Sequence, residues 1–295
     1  MNIGFAKRVI ALGRARPMVI LAALVLLGIV LAAVFAGVIA PDDPLTQDTS
    51  HRLQSPGNGY LLGSDNFGRD VFSRTLHGAR TALTIGLASV ALGTAIGTVV
   101  GLASAYRGGW VDLLVQRVVD AFFGFPLIVL AVVIVATFGA SANTVIAAIA
   151  VALAPQVARL SRSSALSVRS SAHIMAAHSI GAGSTRILFR HFLPHTLGPV
   201  LAYATGFVAT ALVAEAALSF LGLGVPPPNP SWGGMLSDGR EFLEVAPWLT
   251  LVPAAALSVT ALCFVMLGDF LRDVMDPTVT VQAAGEASAH TVKDS

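Results

Sequence analysis

Between Asp120 and Arg159 the chain runs 38 residues without a charged side chain. Few environments accept such a stretch. A helix crosses roughly 30 Å of hydrocarbon with about 20 apolar residues, so 38 is too many for one crossing. Within lipid the backbone must satisfy its own hydrogen bonds, which selects helices for so uniform a run. Gly139-Ala-Ser-Ala-Asn143 is the one turn-like break inside it. The run therefore reads as a hairpin of two spans, 115–138 and 143–160. Asp120 falls near the start of the first, and Arg159 and Arg162 close the second, with side chains long enough to snorkel.

The rest of the chain agrees. Of 295 residues, 55% are apolar and 12% charged, against about 25% charged in soluble domains. Mean hydropathy is +0.77. Disorder and an ordinary soluble fold are both excluded. Residues 1–16 form a basic tail, and 17–40 a first span. A signal peptide is the competing reading of that segment, but its apolar region exceeds the usual length of about 7–15 residues. A polar loop with several Pro and Gly covers 41–78. A core from 79 to 271 then holds spans at 81–106, 115–138, 143–160, 196–221 and 248–271, with loops at 161–195 and 222–247. The tail is 272–295. Span 81–106 is rich in Gly, Ala, Ser and Thr, which suits close helix contact in lipid. The single cysteine, Cys263, permits no disulfide within the chain and reads as a packing residue.

Six spans place both ends on one side. With the N-terminus inside, 13 of the 18 Lys and Arg residues fall on inner segments, and Arg52, Arg69, Arg74, Arg80 and Arg240 fall outside. The small net charge of +2 thus reflects topology, not nucleic-acid binding. The inner loop 161–195 holds two short helical patterns: one from Ser171 stopped by Gly181 and Gly183, and one from Ser184 ending near Pro194. It reads either as a knob that docks into a soluble partner or as an amphipathic hairpin lying on headgroups.

The pattern Ala176-Ala177-x-x-x-Gly181 followed by Leu193-Pro194 resembles the coupling loop of ATP-binding-cassette (ABC) importer permeases. Leu62-Gly-Ser-Asp-Asn-Phe-Gly-Arg-Asp70 with Gly78-Ala-Arg80, and Tyr106-Arg-Gly-Gly-Trp-Val-Asp112, resemble the dipeptide/oligopeptide/nickel branch. So do Asp120 with Phe125-Pro126, and Glu215-Ala-Ala-Leu-Ser-Phe-Leu-Gly-Leu-Gly224 running on to Trp232-Gly-Gly234. The match covers about 17–277 and is closest to the C-type subunit of peptide importers. One departure stands out: the Glu that heads the family's coupling motif is Met175 here.

The resemblance implies an all-α, polytopic, type I importer permease fold with six transmembrane helices. It implies a prokaryotic plasma-membrane location with both termini cytoplasmic. Its partners would be a second permease, two cytoplasmic ATPase domains, an extracytoplasmic solute-binding protein and lipid. ATP and magnesium would sit on the ATPases, with no cofactor in this chain. The coupling residues would be His173, Met175, Ala176, Ala177, His178, Gly181, Gly183, Arg186, Leu193 and Pro194. The sequence agrees on one point: it has no Gly-rich phosphate loop followed by Lys-Ser/Thr. The substrate would be dipeptides or oligopeptides, the alternative being nickel or another non-peptide solute.

Glu215 is the acidic residue well inside an apolar span, where ionisable groups are rare. It reads as a helix anchor, for instance through an outer-loop arginine, or as a substrate contact. Asp65, Arg69 and Asp70 read as braces of the outer loop. Two other classes are weaker. A secondary transporter calls for internal repeats or interrupted helices near the midplane, and no convincing repeat is present. An intramembrane serine protease needs a histidine within a span, but His77, His173, His178, His191 and His195 fall in or beside loops.

Overall fold

A computed structural model describes residues 16–57, 59–169 and 188–275, together with Ile174, Gly183 and Arg186. Its helices are α1 (Pro17–Val34), α2 (Ala36–Ile39), α3 (Val71–Arg107), α4 (Gly109–Phe123), α5 (Leu127–Phe138), α6 (Ala142–Arg169), α7 (Leu193–Phe220), α8 (Trp232–Gly239) and α9 (Trp248–Met275). Among the described residues there is no strand, only an antiparallel bridge between Ser64 and Asp70. Five helices (α1, α3, α6, α7 and α9) are long and apolar enough to cross a membrane, and α4 with α5 forms a broken sixth.

The centre of the bundle is the contact between α3 and α6. Gly93, Gly97 and Gly101 repeat every four residues and so share one face of α3. A methyl group added at these positions would lie 2.8 Å from Ala150 O, 2.6 Å from Ala154 O and 2.3 Å from Ala158 O. A ladder of glycines thus rests on a ladder of alanines, backbone against backbone. Both numberings rise together, so the two helices run parallel. In lipid no hydrophobic effect drives helices together, and small residues let dispersion contacts form along the whole seam. A second such crossing joins α7 to α9, where a methyl on Gly268 would lie 2.7 Å from Gly206 N.

Parallel α3 and α6 require the chain to return between them, and α4 and α5 make that return. They are not the single rod expected over 115–138. The two helices meet at 88° across Gly124-Phe125-Pro126. Pro126 lacks an N–H and restricts Phe125 to extended backbone, so the helix cannot continue through it. Gly108, at φ +63°, turns the chain from α3 into α4.

Helix ends also differ from the apolar runs. α3 begins at Val71, ten residues before the uncharged stretch, because Asp70 caps it: its Oδ2 accepts from Ser73 N at 2.8 Å. α6 continues to Arg169, past Arg159 and Arg162. These arginines pair with Asp120 and Asp112 on α4. The helix expected to end near Pro194 instead passes through a π-helical turn, Leu188–Phe192, straight into α7. Pro194 is the second residue of α7, directly after the π-helical turn. Arg16 pairs with Asp273, so the first and last described residues lie at one end of the bundle. Residues 40–70 and 221–247 lie at the other, called here the loop end.

Gly101→Val is expected to break the α3–α6 seam, since its side chain would meet the Ala158 carbonyl. Overpacking of this kind costs about 1–3 kcal/mol or more. Thermal unfolding in detergent, followed by size-exclusion chromatography, should show a clear drop for Gly101→Val. It should show none for Gly28→Val on α1, where no atom lies within 4 Å.

Candidate functional site

Three places bring chemistry-bearing residues together. The first is the end opposite the loops. There Leu102 and Ala105 of α3, Ala165 of α6, Ile174 and Phe192 form a separate apolar cluster. Ile174 and Phe192 are each 1% exposed, and Tyr106 meets the Phe192 ring edge-on with centroids 6.1 Å apart. Leu193 packs against the cluster as well. The segment between α6 and α7 is therefore pinned at Ile174 and Phe192 to the ends of the two helices that form the central seam. His173, Met175, Ala176, Ala177, His178 and Gly181 lie outside the described residues. Gly183, Arg186 and Pro194 are exposed.

Beside this cluster, one carboxylate joins three helices. Asp112 of α4 accepts from Arg162 Nε at 2.7 Å and Nη2 at 2.6 Å, a bidentate pair with α6. It also accepts from the Ser104 hydroxyl of α3, and Gln116 Nε2 donates to Ser104 Oγ at 3.1 Å. About two turns further along α4, Arg159 Nη2 donates to Asp120 at 2.6 Å while its guanidinium stacks 4.2 Å from the Phe123 ring centroid. Sequence reasoning named these charges but not their pairing. The partners are 39 and 50 residues apart, and nothing local signals which carboxylate meets which guanidinium.

The second place is the loop end. Asp65 is buried and accepts four donors: the N–H groups of Phe67 at 2.8 Å and Arg69 at 3.0 Å, Arg69 Nε at 2.6 Å, and Arg74 Nε at 3.6 Å as a looser ion pair. Arg69 reaches on to Asp238 of α8 at 3.8 Å, and Arg74 donates to Pro44 O at 3.0 Å. Burial pushes the Asp238 carboxyl upward, against the pull of Arg69 and Arg74. Gly68, at φ +74°, lets the 65–69 turn touch the 48–51 turn: a methyl there would lie 1.7 Å from Asp48 O. The Ser50 hydroxyl, then His51, hold the Asp48 carboxyl down at about 2. Trp232 Nε1 donates to Thr75 O at 3.1 Å, tying α8 to the start of α3, and Trp248 Nε1 donates to Ser64 O at 3.2 Å, tying α9 to the 41–70 loop. Asp65, Arg69 and Asp70 thus all make structural bonds within this knot.

The third is Glu215 on α7, which is fully buried. Its Oε1 accepts from Ser219 Oγ at 2.8 Å, one turn along the same helix. The outer-loop arginine considered as its partner is not in contact: Arg69 and Arg74 are held by Asp65, and Arg240 stacks 5.7 Å from the Phe220 ring centroid. Glycines crowd this face. A methyl on Gly233 would lie 2.3 Å from Ala216 O, and one on Gly224 1.7 Å from Ser219 Oγ. Among the described residues, no group of three or more His, Cys, Asp and Glu could hold a metal ion.

Residues 93–281 match the family model described as binding-protein-dependent transport system inner membrane component. Residues 14–56 match the N-terminal TM domain of oligopeptide transport permease C. The chain is similar to the dipeptide transport system permease protein DppC of Alkalihalophilus pseudofirmus, 41% identical over 254 residues, covering 86% of this chain and 84% of that one. It is 40% identical over 267 residues to the glutathione transport system permease protein GsiD of Escherichia coli, covering 90% and 88%. It is 43% identical over 257 residues to a putative peptide transport system permease of Brucella suis, covering 87% and 86%. In fold it resembles a chain of the inward-facing MetNI methionine ABC transporter, with TM-score 0.56 at 20% identity, over 69% of this chain and 97% of that one.

Asp65→Ala would leave two buried guanidinium groups without their carboxylate, and loss of one partner of a buried pair costs about 3–5 kcal/mol. Protease sensitivity of the 41–70 loop should rise sharply. Asp65→Ala combined with Arg69→Met should recover part of that loss, because fewer charges remain unpaired.

Proposed function

The chain belongs to the family of binding-protein-dependent transport system inner membrane components, and from that premise we propose that it is the C-type permease subunit of an ABC importer for dipeptides or oligopeptides. The relatives' names supply the substrate class. The chain works beside a second permease, with ATP and magnesium bound and hydrolysed on two partner ATPase domains. A solute-binding protein delivers the peptide at the loop end. That end faces outward, the two termini lie in the cytoplasm, and the membrane is the plasma membrane. The 13-to-5 distribution of basic residues supports this orientation.

The observation that carries the reading is the anchorage of Ile174 and Phe192 in the cluster with Leu102, Ala105 and Ala165. A docking knob transmits movement only if it grips the helices that must move. Here the segment that contains Ala176, Ala177 and Gly181 is pinned at both ends to α3 and α6. The glycine–alanine seam locks those helices together over about two turns. A push on the 174–192 segment therefore displaces the α3–α6 pair as one body. The Asp112–Arg162 and Asp120–Arg159 pairs carry the displacement into α4, and the break at Gly124–Pro126 lets α4 tilt against α5. The pathway between the two permeases would open alternately to either side by such tilting. Glu215 stays buried within α7, where its carboxylate accepts from Ser219 of the same helix. Met175, in place of the family's Glu, offers the ATPase an apolar contact.

The reading is tested in the reconstituted complex by measuring substrate-stimulated ATP hydrolysis together with peptide uptake. Phe192→Ala empties the centre of the cluster, at a local cost of about 3–5 kcal/mol. It should leave insertion intact and ATP hydrolysis running without import. Gly181→Val should do the same or weaken ATPase binding. Wild-type uptake in both variants would remove the 174–192 segment as the coupling element. Orientation is tested separately in a Cys263→Ala background: Ser184→Cys should resist labelling from outside intact cells, and labelling there would reverse the topology.

A further inference from the structure

At the loop end a pocket of about 460 Å³ opens between the first turns of α3, the start of α6 and the loops at 43–45 and 225–230. Its volume falls in the range of small-molecule sites, roughly 300–1,000 Å³. Asp43, His77, Arg80, Thr81, Thr84 and Asn229 supply its polar lining. It adjoins the Asp65 knot at Pro44, whose carbonyl accepts from Arg74, and Glu215 is not among its lining residues.

The arginines of this end are not equivalent. Arg69 and Arg74 are buried and held by Asp65, and Arg240 stacks on Phe220. Arg80, one helix turn before Thr84, makes no ion pair or hydrogen bond among the described residues. Its neighbours are arranged around it. His77 Nδ1 donates to Ser73 O at 2.9 Å and Thr81 Oγ1 donates to His77 O at 3.3 Å, which fixes both side chains against α3. Asp43 also lines the pocket and accepts from Leu45 N at 2.8 Å through one oxygen. The pocket therefore presents a guanidinium unpaired among the described residues, hydroxyl and amide groups, and a carboxylate that makes no ion pair with that guanidinium. A guanidinium binds a carboxylate through two parallel N–H···O bonds. A ligand with a carboxylate at one end and an amine at the other matches this lining.

We propose that this pocket is an entry subsite in which Arg80 receives the free carboxylate of the peptide, with Asp43 on the side of its amino group. The inference rests on the importer reading and places a substrate contact on this chain. The walls come from two loops beyond the apolar runs, so the pocket is framed by protein and not by lipid alone.

The test uses the assembled complex in nanodiscs, with Thr84→Cys in the Cys263→Ala background and a charged thiol reagent. A dipeptide should slow modification of position 84, and the same dipeptide amidated at its C-terminus should not. Adding Arg80→Gln should raise the peptide concentration for half-protection by about tenfold or more, the scale of one lost charge-assisted contact. Arg80→Lys should restore part of it. Equal protection by acid and amide, no protection, or protection that survives Arg80→Gln would overturn the subsite. So would a modification rate that follows the anionic lipid content of the disc and not the peptide, which would assign Arg80 to a headgroup. Peptide uptake by the unmutated complex is measured in parallel. Its absence would overturn the importer reading, whereas normal uptake without protection would remove only the subsite.

Discussion

The close approach of α3 to α6 is the contact on which the remaining architecture rests. In a bilayer, side-chain bulk gains little by leaving lipid, and association comes from contact area and backbone proximity. Three glycines against three alanines give that proximity over about two turns. Because the seam is parallel, it also dictates topology. The chain must recross between the two helices, and the material that does so is the broken pair α4 and α5. A bulkier residue on either ladder would separate the helices and loosen that return segment with them.

Charge is used sparingly and in pairs. At the end opposite the loops, Asp112 ties α3, α4 and α6 at one point, and Asp120 repeats the link with Arg159. Ion pairs in such a setting are directional and fix register, while the apolar cluster around Phe192 supplies contact area without direction. A stiff pair of helices, a jointed return segment and a pinned connecting segment form a linkage that can take a load at one end and change shape between helices. At the loop end the logic differs. There Asp65 gathers the donors of its own turn and of two arginines, so that a polar loop becomes a rigid lid over the starts of α3 and α9. Arg80 makes no ion pair among the described residues and lines the pocket beside this loop.

The apolar exposure on the outer faces follows from the same solvent argument. α1 buries only Ala22 and Ala33, leaving Leu24 and Val34 more than half exposed. In water such a helix would collapse onto the bundle. In lipid it stays at the periphery, held by Arg16 to Asp273 and by small contacts to α3 and α9.

The sequence by itself determined the all-helical class, the six crossings and the side-by-side placement of the two ends. Each depends on the local cost of placing charge and unpaired backbone in hydrocarbon, which any 20-residue window reports. It also showed the small-residue content of the 81–106 span, and it marked Asp65, Arg69 and Asp70 as loop braces and Glu215 as an acidic group inside an apolar span. The tertiary structure alone decided which partners those were. It paired Arg162 with Asp112 and Arg159 with Asp120 where free arginines at a span end were expected. It gave Glu215 a serine on its own helix, and it carried Pro194 into a continuous α7. It also broke the third crossing at 88°, although Pro126 was visible in the sequence. The physical reason is common to all of these. Window hydropathy measures transfer of a segment from water to lipid, whereas pairing, bending and the lack of an ion pair at Arg80 among the described residues depend on which helix faces lie opposite each other once the bundle has closed.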